Sequence, residues 1–221
     1  MPARRAAPVA APRRPRGRRR KTLAERDEGN RRRELIRAAA RLFHRKGFAA
    51  TSTRDIAAKA GMQSGSPLYH FKSKSALLHA VMEEGLRSAG QQQARALQAL
   101  GADGTSTAAV APDAALRALI RAHFDILLGP GSDFVPVMLY ESRSLTPRQR
   151  ADIAKLQREY EAHWMPVLQA LRETGRLRTD VHLARLLILG ALNWTVQWFD
   201  PKGPATLDDL TDAAMNLFLQ E

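Results

Sequence analysis

The chain contains no cysteine. That removes disulfides, thiolate nucleophiles and cysteine-held zinc together, and makes the cytoplasm the expected compartment. Long apolar runs are missing too. The longest clean one, residues 186–192, falls far short of the roughly 20 residues a helix needs to cross a bilayer, so no membrane partner is expected. The arginine-rich start has no apolar segment of the secretory type. Catalytic signatures are also lacking. The six histidines show neither H-E-x-x-H nor another paired-ligand spacing, and no G-x-S-x-G, P-loop or dinucleotide fingerprint occurs. His123 and His163 stand beside no nucleophile pattern. The chain reads as neither an enzyme nor a metal or cofactor protein.

What is present is a core-forming chain with a lopsided charge. Of 221 residues, 44% are hydrophobic, enough to pack one large domain or a small one joined to a larger one. The net charge is +13. Residues 1–21 carry eight Arg and one Lys with no acid, and residues 22–72 carry eleven basic against five acidic groups. Residues 73–221 carry fifteen basic against seventeen acidic. The positive field therefore sits on the N-terminal third, as phosphate binding requires.

The segment 47–74, GFAATSTRDIAAKAGMQSGSPLYHFKSK, coincides with that field. It reads as helix, glycine turn and second short helix, the pattern that places a recognition helix in a DNA major groove. A preceding helix spans about Arg31 to Lys46, with Asn30 as N-cap and Leu35, Ile36, Ala39, Leu42 and Phe43 as its apolar stripe. Gly47 ends it. Thr53 to Ala60 forms the second helix, opened by an S-x-x-D capping box of Ser52 and Asp55. The third is expected from about Gly65 to Phe71 with Ser64 as N-cap. That register puts Pro67 in the first turn, where the helix needs no N–H from it.

Further helices are expected from Lys74 to about Leu100, Asp113–Leu128, Phe134–Ser142, Pro147–Thr174, Val181–Phe199 and Leu207–Gln220, with residues 101–111 as a loop. Thr146-Pro-Arg-Gln149 and Thr206 with Asp209 mark two of the starts. Pro166 should kink the long helix that contains it. Nothing reads as a strand. The expected fold is all-α with about nine helices: a basic disordered tail over 1–28, a three-helix DNA-binding domain over 29–73, and a larger helical domain over 74–221.

On LFHRKGF, TSTRDIAAKAG and GSPLYHFKSKSALL, the chain resembles the TetR family of transcriptional repressors over about residues 31–82. The resemblance implies a homodimer that sets two recognition helices into successive major grooves of a near-palindromic operator on double-stranded DNA. Carried onto this sequence, Arg54 reaches backbone or base. Gln63, Ser64, Gly65, Ser66, Tyr69 and His70 line the recognition helix, and Lys74 meets a phosphate at the start of the next helix. Where the family shows Y-x-H-F, this chain has L-Y-H-F, so Leu68 replaces a hydroxyl donor with an apolar group that suits a thymine methyl.

LYESRSLTPRQRADIAKLQREYEAHW and LLILGALNWTVQWF are similar to a TetR subgroup controlling lipid, steroid or acyl-group catabolism. That resemblance implies release from DNA by a small effector such as an acyl-CoA. Phe124, Met138, Tyr160, Trp164, Leu168 and Leu189 are the candidate pocket residues, and Arg143 and Arg148 are candidates for a CoA phosphate. Leu186, Gly190, Trp194, Trp198 and Leu217 are the candidate dimer face, with Asn193 in an interhelical hydrogen bond. Two alternatives stand beside this reading. One is a repressor of a drug-efflux or other catabolic operon with a non-CoA inducer. The other is a sequence-neutral architectural DNA-binding protein.

Overall fold

The computed structural model describes residues 23–102, 110–129 and 132–220, with side chains from residue 28 onward. Among these residues the fold is all helical, with ten α-helices. Helices α1 (Leu23–Lys46), α2 (Thr53–Lys59) and α3 (Ser66–His70) form the head. Helix α4 (Lys74–Ala102), about 43 Å long at 1.5 Å per residue, runs from the head into the C-terminal half. There α5 (Pro112–Leu128), α6 (Phe134–Glu141), α7 (Pro147–Glu161), α8 (Trp164–Glu173), α9 (Val181–Trp194) and α10 (Leu207–Phe218) pack around it. Short 3-10 turns follow α6 at Ser142–Ser144 and α9 at Thr195–Gln197.

Local chemistry fixes most boundaries. Three capping boxes close as the sequence indicates, with Ser52 and Asp55 on α2, Thr146 and Gln149 on α7, and Thr206 and Asp209 on α10. Hydrogen bonds from the cap residues hold the Asp55 and Asp209 carboxyls below the usual carboxylate range. Gly47 and Gly61 end α1 and α2 with φ of 78° and 67°, a backbone conformation costly for any side-chain-bearing residue.

Four boundaries differ from expectation. Helix α1 begins at Leu23, so Asn30 lies inside it, accepting from Arg33 at 3.1 Å, and is no cap. The segment LAER is made of strong helix formers that propagate the helix backward despite a weak apolar period. Of the expected tail, residues 1–22 lie outside the described residues, as do 103–109 of the expected loop. Helix α3 begins at Ser66, so Gly65 is its cap and Ser64 is not. Pro67 is its second residue, where a missing N–H still costs nothing. The expected 147–174 helix is two helices. Pro166 does not kink a continuous helix; it is the third residue of a new one, its ring and missing N–H being tolerated only in a first turn. Lastly, α9 stops at Trp194, so Trp198 lies beyond it rather than one turn along it.

Two apolar clusters result. One joins Leu35, Leu42, Phe43, Ile56 and Phe71 of the head to Leu77–Leu86 of α4, and also takes in Val137, Leu145 and Ile153 from the C-terminal half. The other holds Leu116–Leu127 of α5 against Trp164, Leu168 and Leu171 of α8 and Ile188–Leu192 of α9.

Candidate DNA interface and effector core

The candidate recognition surface is built on α3. Tyr69 is 78% exposed and Leu68 57% exposed, while their neighbour Pro67 is buried. Two large side chains are thus held out into solvent by an anchored turn. Gln63, Ser64, Gly65 and Arg54 are exposed, and Ser66 and His70 half-buried. The Tyr69 and His70 rings meet edge to face at 5.2 Å. Exposed tyrosine, histidine, serine and glutamine are hydrogen-bonding groups suited to phosphates and base edges.

Lys74 behaves differently from the rest of that set. Its ammonium donates inward, to the Phe48 carbonyl at 2.8 Å and the Thr51 carbonyl at 2.9 Å, and lies 4.2 Å from the centre of the Phe48 ring. The group expected to meet a phosphate is engaged in holding the α1–α2 turn, because the carbonyls left unpaired there converge on it.

In the C-terminal half, five of the six candidate pocket residues come together. Phe124, Tyr160, Trp164, Leu168 and Leu189 share one buried cluster, whereas Met138 packs with the head's cluster. Met138 is misgrouped because α6 faces the head. Through the five runs a polar network whose span the sequence did not reveal. Gln93 of α4 is fully buried. Its amide, oriented by its partners, donates to the Tyr160 carbonyl at 3.1 Å and accepts from the Trp164 indole at 2.9 Å and the Tyr160 hydroxyl at 2.7 Å. The Tyr160 carbonyl is free because the α7–α8 break removes its helical donor, and His163 also lies 3.3 Å from it. His123 Nδ1 is 2.5 Å from the Tyr160 hydroxyl, and its Nε2 is 3.2 Å from Asn193 Oδ1.

The protons can be assigned in sequence. An indole N–H only donates, so Gln93 presents its oxygen. At the other end of the network Asn193 presents Oδ1, which only accepts, so a neutral His123 donates from Nε2. His123 Nδ1 is then an acceptor, and the single Tyr160 proton lies between it and the Gln93 oxygen. Burial holds the His123 pKa down at about 4 and pushes the Tyr160 hydroxyl upward, so both stay neutral. Asn193 thus makes the expected interhelical hydrogen bond. Gln93 and His123 were not singled out as pocket residues. Their partners lie 37 to 71 residues away, and only the isolated polar positions in apolar helices hinted at them.

The surface of α9 and α10 is unusual in the opposite sense. Leu183, Leu186, Leu187, Trp194, Trp198 and Leu217 are each more than half exposed. Gly190, on the same helix as four of them, has open space where a side chain would stand. Exposed apolar side chains gathered in this way are suited to association with another surface.

Comparison with known proteins agrees with this geometry. Residues 35–81 match the model for bacterial regulatory proteins of the tetR family, and residues 109–221 match the tetracyclin repressor-like C-terminal domain. The HTH-type transcriptional repressor KstR2 of Rhodococcus jostii is 30% identical, covering 87% of this chain and 91% of its own. The solved structure of KstR2 of Mycobacterium tuberculosis, a ketosteroid transcriptional regulator, superposes with a TM-score of 0.70 at 26% identity over 86% of this chain and 96% of its own. AibR in complex with isovaleryl coenzyme A and operator DNA gives 0.74 at 26% identity over 85% and 97%. The superantigen PfiT gives 0.71 at 36% identity over 86% and 96%. No helix among the described residues is long and apolar enough to cross a membrane. With both halves matched and a repressor similar over nearly its whole length, this chain belongs to the TetR family of helix-turn-helix transcriptional regulators.

Proposed function

We propose that the protein is a dimeric repressor released from its operator by an acyl-CoA thioester. The carrying observation is the likeness, over both halves at once, to KstR2 and to AibR bound to isovaleryl coenzyme A and operator DNA. In this reading Tyr69, Leu68, Gln63, Ser64, Gly65, Ser66, His70 and Arg54 meet DNA, and the α9–α10 face joins two protomers. The two α3 helices then meet half-sites about 34–36 Å apart. Lys74 contributes by holding the head's shape.

The acyl group enters where α7 and α8 part, displacing apolar contacts among Phe124, Trp164, Leu168 and Leu189. Its carbonyl competes for the donors that now serve Gln93 and Tyr160. The exposed Arg143 and Arg148 lie on the turn before α7 and at its start, within the effector half, where they suit the CoA phosphates. Ligand and DNA favour different head separations, so each weakens the other by the same factor.

The test is binding to the protein's own upstream DNA at fixed salt, with and without a panel of branched, long-chain and steroid-derived acyl-CoAs. Tight binding that one thioester relieves and its free acid does not is the expected result. Tight binding indifferent to every thioester would remove the acyl-CoA effector and retain the repressor. Equal affinity for operator and random DNA would replace both with an architectural protein.

A further inference from the structure

Helix α6 belongs in sequence to the C-terminal half, yet it is fastened to the head at both ends. At its start, Asp133 lies 3.1 Å from His44 of α1. The Phe134 ring sits on α4 where a side chain at Gly85 would stand, a Cβ there meeting the ring at 1.9 Å. At its end, the Glu141 carboxylate accepts the Phe48 N–H at 2.8 Å across 93 residues of chain. The carbonyl of that same Phe48 accepts from Lys74 of α4 at 2.8 Å. One residue of the α1–α2 turn is therefore gripped through its N–H from α6 and through its C=O from α4. Gly47 makes room for the grip: with φ of 78°, its missing Cβ would lie 3.2 Å from the Glu141 oxygen.

Elsewhere along the seam Val137, Leu145 and Ile153 pack into the head's apolar cluster, and two clefts interrupt that packing. A cleft of about 440 Å³ lined by Arg37, Arg41, Glu84, Asp125 and Asp133 lies on one side of α6. A second of about 300 Å³, lined by His44, Gly47, Tyr140 and Glu141, lies near its end. Apolar packing is non-directional, so the directed contacts that bridge such clefts are what favour one orientation. A charged acceptor on a backbone N–H is the strongest kind of neutral-donor hydrogen bond available there.

From this placement we infer that Glu141 is a positioning residue for operator binding: with Lys74 it clamps the Phe48 backbone and fixes the angle at which each head leaves the dimer. The inference rests on the reading of the chain as an operator-binding dimer. The clamp acts on the spacing of the two recognition helices and not on either helix's own contacts with DNA. Glu141 is half-buried behind the head, away from the exposed face of α3.

The experiment compares Glu141→Ala and Glu141→Gln with the unsubstituted full chain, on the upstream operator and on a duplex carrying a single half-site. Head separation is read at the same time. The chain has no cysteine, so Lys59→Cys, at an exposed α2 position, gives one nitroxide per protomer and a single inter-head distance distribution. E141A is expected to bind the full operator about tenfold more weakly, equivalent to about 1.4 kcal/mol. Its half-site affinity stays unchanged and its distance distribution broadens. E141Q keeps an oxygen acceptor and restores most of the loss. An unchanged distribution overturns the clamp, as does an equal loss on operator and half-site, which would mean local damage to the head. Failure of the unsubstituted protein to distinguish operator from random DNA would sink the operator reading, while the distance distributions would still decide on the clamp.

Discussion

The two apolar clusters of this protein are built to different rules. Around the head, Leu35, Phe43, Ile56, Leu77, Leu78 and Met82 are almost completely buried, and the one buried polar side chain among the described residues there, Thr51, bonds to local carbonyls of Leu42 and Gly47. In the effector half, a chain of polar groups from Trp164 through Gln93, Tyr160 and His123 to Asn193 threads the core and touches five helices. The head needs a single shape, which apolar packing and local bonds supply. A satisfied polar network also specifies one arrangement, but any intruding group that takes one of its protons unsettles the rest. A core made that way suits the half of the molecule that has to respond.

Truncating a large side chain in each cluster gives the largest expected effects. Trp164→Ala should destabilise by the roughly 3–5 kcal/mol typical of a buried aromatic, and Gln93 also loses one of its two donors. Phe43→Ala in the head leaves a cavity of similar kind and no unpaired group. Urea unfolding should show the Trp164 variant to be the less stable of the two. The reverse order would mean that the network adds nothing to the effector core.

How much of this could be read beforehand follows the range of the interactions. The three capping boxes span three residues each, and all closed as the sequence suggested. The helix-turn-helix and most of the remaining helices were legible for the same reason. The departures lie where a distant partner decides. Lys74 is basic and sits at a helix start, which locally suggests an anion, but the carbonyls of Phe48 and Thr51 turn it inward. Met138 has the size of a pocket residue and packs on the wrong cluster because α6 faces the head. The 147–174 stretch kept helical periodicity through residues 162–163, so a proline three positions later had to be interpreted as a kink or a restart. Tertiary packing chose the restart.

Acid should separate the two clusters more gently. His123 is buried neutral, its pKa held at about 4 against the usual 6.5. The folded protein resists protonation that the unfolded chain accepts. Its contribution is therefore complete above pH 6.5 and is lost as the pH falls toward 4, amounting to about 3 kcal/mol over that window. Hydrogen exchange between pH 7 and pH 4.5 should show protection falling around α5 and α9 before it falls in α1 and α4 near Leu77. His123→Asn keeps a polar side chain there and removes the titration, so the slope over this window should flatten. Equal acid sensitivity in both clusters would place the responsible groups elsewhere.

Tyr69→Ala should have the smallest effect on the fold and still disturb function. Its side chain is 78% exposed and touches the His70 ring at its edge, so stability should change by no more than about 0.5 kcal/mol. If the ring meets DNA, operator affinity should fall by about 1–3 kcal/mol, with head separation unaltered. The salt dependence distinguishes what it touches. A lost hydrogen bond from a neutral hydroxyl leaves the salt slope unchanged, whereas loss of a Lys or Arg contact to phosphate lowers it by about one unit. A variant that melts earlier and binds DNA normally would return Tyr69 to the core of the head. The head's exposed face would then rest on Leu68, Gln63 and Arg54, and its reading of DNA would depend more on thymine methyl groups than on hydroxyl donors.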